Sequence, residues 1–151
     1  MSTPGILLAD ANIFLRFLRN DHPEHSPAAR ELIESAGRGD VVLRVLEVVV
    51  MDTFYTLTAP KMGAPRQISA RNLAALLQQP GMDVANKARV FETLGFCDTK
   101  NIDYCDAALI VAAQQEKHPI ISYDRDFAKA PNITALTPLQ WREKKPRSRS
   151  G

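Results

Sequence analysis

Four short segments set carboxylates beside apolar residues: Leu8-Ala9-Asp10-Ala11-Asn12, Val49-Val50-Met51-Asp52-Thr53, Ile102-Asp103-Tyr104-Cys105-Asp106-Ala107 and Ser122-Tyr123-Asp124-Arg125-Asp126-Phe127. A lone charge in such surroundings is costly unless something compensates it. Apart from Arg125, Lys and Arg are scarce beside these acids. A cluster of them would repel itself, and a bound divalent cation would relieve that repulsion. Hard oxygen donors favour Mg²⁺ or Mn²⁺ over Zn²⁺. Each acid also has a structural alternative. Asp10 and Asp103 stand where helix N-caps are expected, and Asp106 is a first-turn acid of the kind a helix dipole favours. Asp124 and Asp126 suit a turn after a strand. Asp52, on an apolar helix face, has the weakest structural reason to be an acid.

The elements that must position these acids can be read from apolar patterning. Ile6-Leu7-Leu8-Ala9 is a continuous apolar run ending at Asp10, which predicts a strand buried on both faces. Ile13, Phe14, Phe17 and Leu18 recur at helical spacing over residues 12–19. Ser26-Pro27 predicts the next helix start, with Ser as the cap and Pro in the first position, and Gly37 and Gly39 close it. A second strand falls near 41–45, followed by helices over roughly 48–59, 69–79 and 86–94, with turn-rich sequence at 97–101. Residues 103–117 form an amphipathic helix. Strands follow at 119–123, ending at Asp124, and at 132–136. Strands alternating with helices imply a mostly parallel sheet covered on both faces. Ligands of such sheets bind outside the carboxyl ends of the strands, where Asp10 and Asp124 are both expected.

Taken together, the four segments resemble the PIN domain, and within it the VapC-type toxins, over about Ile6 to Leu136. Asp10-Ala11-Asn12-Ile13-Phe14-Leu15-Arg16 is similar to the family's opening acid motif, with Ala11 where a small hydroxyl residue is usual. Asp106-Ala107-Ala108-Leu109-Ile110 and Ser122-Tyr123-Asp124-Arg125-Asp126-Phe127 match its third and fourth elements. The second element usually carries Glu. Glu47 has that chemistry, whereas Asp52 has the better context, after Val48-Val49-Val50-Met51 and before Leu57, and is preferred.

The resemblance implies a three-layer α/β/α sandwich around a central, mostly parallel sheet, and an endoribonuclease that uses Mg²⁺ or Mn²⁺. Asp10, Asp52, Asp106 and Asp124 would be the catalytic acids. Asp10, Asp106, Asp124 and Asp126 would hold metal, and Asn12, Ser122 and Asp103 would orient those ligands. RNA would be cut to leave a 5′-phosphate and a 3′-hydroxyl. Arg16, Arg125 and Lys129 are candidates to hold its phosphates. A small VapB-like antitoxin and a second copy of the chain are the implied partners, with Phe17, Leu18, Leu32 and Ile33 as either interface or core. Two other classes compete. A non-cleaving PIN-like module that binds RNA or protein is consistent with Ala11 and Asp52. A phosphatase built on Asp10 would want a second Asp where Asn12 stands.

Composition agrees with a cytoplasmic protein. The 151 residues are 45% hydrophobic and 24% charged with a net charge of +2, as in a single globular domain. Cys97 and Cys105 match neither a redox pair nor a zinc site, so both are expected as free thiols. His22, His25 and His118 show no ligand spacing. No apolar run is long enough to span a membrane, and the first residues do not resemble a secretory signal. A single domain over residues 1–140 and a basic, disordered tail over 141–151 are expected.

Overall fold

A computed structural model describes residues 3–144. The first parallel sheet is built from two apolar runs and a third, shorter segment, each followed by a helix. β1 (Gly5–Leu8) pairs with β2 (Val41–Val45), Gly5 opposite Val41 and Leu8 opposite Arg44. β2 pairs in turn with β3 (Met82–Val84), giving the order β1-β2-β3. Parallel neighbours need crossovers, and the helices supply them. α1 (Ala11–Arg19) and α2 (His25–Gly37) link β1 to β2, while α3 (Glu47–Thr58) and α4 (Arg66–Leu77) link β2 to β3. α5 (Lys87–Lys100) and α6 (Tyr104–Glu116) follow. A second parallel pair, β4 (Ile120–Ile121) with β5 (Ala135–Leu136), is joined by a 3₁₀ turn at Arg125–Lys129, and α7 (Pro138–Lys144) closes the described chain. The fold is α/β with parallel strands, as the alternation of elements requires.

One core serves most of the chain. Phe14 of α1, Leu43 and Val45 of β2, Phe54 of α3, Leu73, Leu76 and Leu77 of α4, Val90 and Leu94 of α5 and Tyr104 of α6 are all buried in it. Ile33 is buried there too, with Phe17, Leu18 and Leu32 packed against it. These four apolar side chains therefore belong to the core or its margin. Ile110, Ala113, Ile120 and Phe127 form a smaller core beneath β4 and the 3₁₀ turn. Gly81, at φ +87°, turns the chain into β3, and a Cβ there would overlap the Ala36 carbonyl.

Several expectations need correction. β1 is an edge strand rather than one buried on both faces. Ile6 is 65% and Leu8 73% exposed, and β2 is the strand that β1 pairs with among the described residues. Ser26 does not cap α2. That helix begins at His25, and the buried Ser26 hydroxyl accepts the His22 N–H at 3.1 Å. The His22 ring does the capping, its Nδ1 accepting the N–H groups of Glu24 (3.2 Å) and His25 (2.9 Å). The turn-rich residues 97–101 are mostly the last turn of α5, which runs to Lys100. Cys97 is buried in the core there, and Asp98 is held by Arg71 at 2.8 Å. Tertiary packing overrides local turn preference in that stretch. β3 and α7 were not expected. α7 carries the ordered chain past residue 140, and the rest of the expected tail, 145–151, lies outside the described residues.

Candidate active site

The C-terminal end of α5 and the start of α6 build one wall of an acidic cleft. α5 stops where Asn101 enters the left-handed region at φ 54°, a conformation Asn tolerates better than most residues. Extended backbone at Asp103 then starts α6, placing Asp106 in its first turn. Asp103 occupies the N-cap position, yet its side chain makes no cap hydrogen bond. The opposite wall follows β4. Ser122 Oγ accepts the Asp124 N–H at 3.0 Å, and Asp124 Oδ1 accepts the Asp126 N–H at 2.9 Å, so this short polar run folds on itself. Asp103, Asp106, Asp124 and Asp126 thus line one cleft of ≈ 260 Å³, with Arg66 of α4 beside them and Ile110 and Phe127 as apolar lining.

The electrostatics of the cleft centre on Asp106. Burial raises its pKa above the ordinary carboxylate range, and the charges of Asp103, Asp124 and Asp126 push it further in the same direction. Arg66 opposes them. Asp126 has its own exposed counter-ion, Lys129 at 3.4 Å. An all-oxygen donor set under mutual repulsion matches the chemistry of a hard divalent cation.

The other acids lie elsewhere. Asp10 is exposed at the N-cap position of α1, makes no cap hydrogen bond, and accepts from Asn12 Nδ2 at 3.3 Å. Asp52 is exposed on α3, whereas Glu47 is half-buried at the start of the same helix. Glu47 accepts the hydroxyl of the buried Tyr104 at 3.1 Å. Burial and the Glu47 carboxylate together drive the Tyr104 pKa well above its usual value. Neither Asp10, Asp52 nor Glu47 lines the cleft. Among the described residues, no three His, Cys, Asp or Glu are arranged to hold a metal ion. Of the expected phosphate-holding residues, Arg16 pairs with Asp21 at 3.6 Å and Arg125 is exposed in the 3₁₀ turn.

Sequence reasoning missed Arg66, Asn101 and Tyr104. Arg66 is thirty-five residues from Asn101, whose carbonyl its Nη1 reaches at 3.3 Å, and no local spacing signals such a contact. Both cysteines are free thiols: Cys105 is exposed, and burial pushes Cys97 up to about 12. Among the described residues, no helix is long and apolar enough to cross a membrane.

Comparison with known proteins places these features in context. The sequence profile described as PIN domain matches residues 7–133. Ribonuclease VapC24, from two strains of Mycobacterium tuberculosis, is 44% identical over 55 residues, 36% of this chain. That match spans only 37% of the relatives' own length. A chain from a Rickettsia felis VapBC2 complex bound to a promoter DNA fragment aligns over 88% of this chain and 98% of its own. It does so at 13% identity and a TM-score of 0.34.

Proposed function

From the premise that this chain belongs to the PIN domain family, we propose that it is a metal-dependent endoribonuclease acting as the toxin of a VapBC-type pair. The observation that carries this reading is the convergence of Asp103, Asp106, Asp124 and Asp126 from two distant segments on one cleft. Burial, and after it the neighbouring carboxylates, raises the Asp106 pKa, so holding these acids together costs the fold some stability. Acids crowded in this way, with one arginine among them, are better explained by a cation-binding role than by structure.

In this reading Asp106 and Asp124 would hold the cation; among the described residues no three acids are arranged as a ready-made site, so Asp126 and Asp103 would have to close on the ion as it binds. Mg²⁺ or Mn²⁺ bound there would lower the pKa of a water and offset charge on the scissile phosphate. Ser122 fixes the Asp124 turn through its backbone N–H. Asp124 spends one oxygen on the Asp126 N–H and keeps the other for a ligand. Asp10, oriented by Asn12, and Asp52 are the further acids of the family pattern, and the reading requires them to reach the same phosphodiester when RNA binds. Hydrolysis leaves a 5′-phosphate and a 3′-hydroxyl. A VapB-like antitoxin, a second copy of the chain and a cytoplasmic setting belong to the same proposal.

A second reading has one observation in its favour: Asp10 and Asp52 stand outside the cleft. A module that binds RNA without cutting it would tolerate that separation. Induced expression in bacteria separates the two. Growth arrest by the wild type, lost in Asp124→Asn at matched protein level, supports cleavage. Equal arrest by both would contradict it.

A further inference from the structure

Among the described residues, Arg66 is the one cation lining the acidic cleft. It lies close enough to oppose the raised pKa values of both Asp106 and Cys97. Among the described residues it nonetheless forms no ion pair with any of the four acids, whereas Arg16, Arg19, Arg38, Arg44, Arg71 and Arg89 each have a carboxylate partner. Its Nη1 donates to the Asn101 carbonyl at 3.3 Å. That bond anchors one corner of the guanidinium to the loop that leads into Asp103 and leaves the rest of its donors available. Arg66 also opens α4, directly after Pro65, where the positive end of the helix dipole adds to its field.

A guanidinium held in place beside carboxylates, but not neutralised by them, suits a planar oxyanion. Its fork of N–H donors matches the two non-bridging oxygens of a phosphodiester. An RNA strand entering this cleft meets four carboxylates, and a fixed cation beside them favours a backbone phosphate at that end of the cleft. We propose that Arg66 is the phosphate-positioning residue of the cleft, gripping an RNA backbone phosphate next to the acids. The inference rests on the ribonuclease reading for its substrate class.

The test measures binding and cleavage separately. Binding of a fluorescein-labelled single-stranded RNA oligonucleotide is followed by anisotropy in Ca²⁺, across a series of salt concentrations, for wild type, Arg66→Gln, Arg66→Lys and Arg71→Gln. Arg71 sits on the same α4–α5 seam, paired to Asp98, and does not line the cleft. Arg66→Gln should weaken binding roughly tenfold, the effect of losing a charge-assisted contact. It should also reduce the slope of log affinity against log salt by about 0.7, the value for one phosphate on a single strand. Arg66→Lys should restore the slope and part of the affinity, and Arg71→Gln should change neither. An unchanged slope in Arg66→Gln, or an equal loss in Arg71→Gln, overturns the inference. Wild type that binds with this Arg66 dependence but cuts no RNA in Mg²⁺ or Mn²⁺ defeats the ribonuclease reading and leaves the Arg66 assignment standing. Wild type that fails to bind RNA overturns both.

Discussion

Asp106 concentrates the cost of the site in one side chain. Burial comes first among the causes of its raised pKa, followed by the carboxylates of Asp103 and Asp124. The folded protein therefore holds this proton to higher pH than the unfolded chain does. Stability contributed here is present at low pH and declines as pH rises from the ordinary carboxylate range through the folded value. Asp106→Asn removes that decline. Metal-free Asp106→Asn should melt about 1 °C higher than wild type at neutral pH, given the few tenths of a kcal/mol of a like-charge i,i+3 pair with Asp103. It should also lose cleavage. A lower melting temperature in thermal denaturation would mean that the carboxylate is structural. At this scale the acids next to apolar residues were legible, but not which of them share a site: Asp103, Asp106, Asp124 and Asp126 line one cleft, and Asp10 and Asp52 do not. Arg66 was silent because its place depends on where the start of α4 lands against the end of α5.

Elements carry the site through a few contacts between helices. The Tyr104 hydroxyl bonds Glu47 at 3.1 Å, tying the first turn of α6 to the first turn of α3. The Tyr55 hydroxyl accepts the Cys105 N–H at 3.0 Å and ties the same two helices again. Tyr104→Phe should cost about 1.5–3 kcal/mol in urea unfolding, because a half-buried carboxylate loses its donor. A cost near zero would show that water replaces the hydroxyl freely. Apolar runs located β1 and β2, and helical spacing located α3 and α6, because those signals are local. β3 was not legible. Met82-Asp83-Val84 is too short to show a period, and it is a strand only because Leu43 and Val45 lie beside it. The last turn of α5 carries Asp98 and Thr99, residues whose local preference is for a loop. Thr99 instead donates its hydroxyl back to the Gly95 carbonyl at 2.9 Å, and buried Cys97 fixes the turn to the core.

The described residues form two separate parallel sheets, β1-β2-β3 and β4-β5, with the cleft acids on the segments around α6 and the 3₁₀ turn and Asp10 just after β1. The open edge of β1 makes a sharp prediction. Leu8→Ala, at a side chain 73% exposed, should change stability by no more than about 0.5 kcal/mol. A loss of about 2 kcal/mol or more would show that β1 is covered in solution. Which strand neighbours which was the least legible feature, because a continuous apolar run reads the same whether its second edge is paired or open. Metal-dependent cutting of RNA is the activity proposed for the whole molecule. Purified wild type and Asp124→Asn, each incubated with RNA in Mn²⁺ and in EDTA and followed by mapping of new 5′ ends, test it directly. The account predicts discrete 5′-phosphate ends from wild type in Mn²⁺ alone. Ends that persist in EDTA, or that Asp124→Asn produces equally, would contradict it.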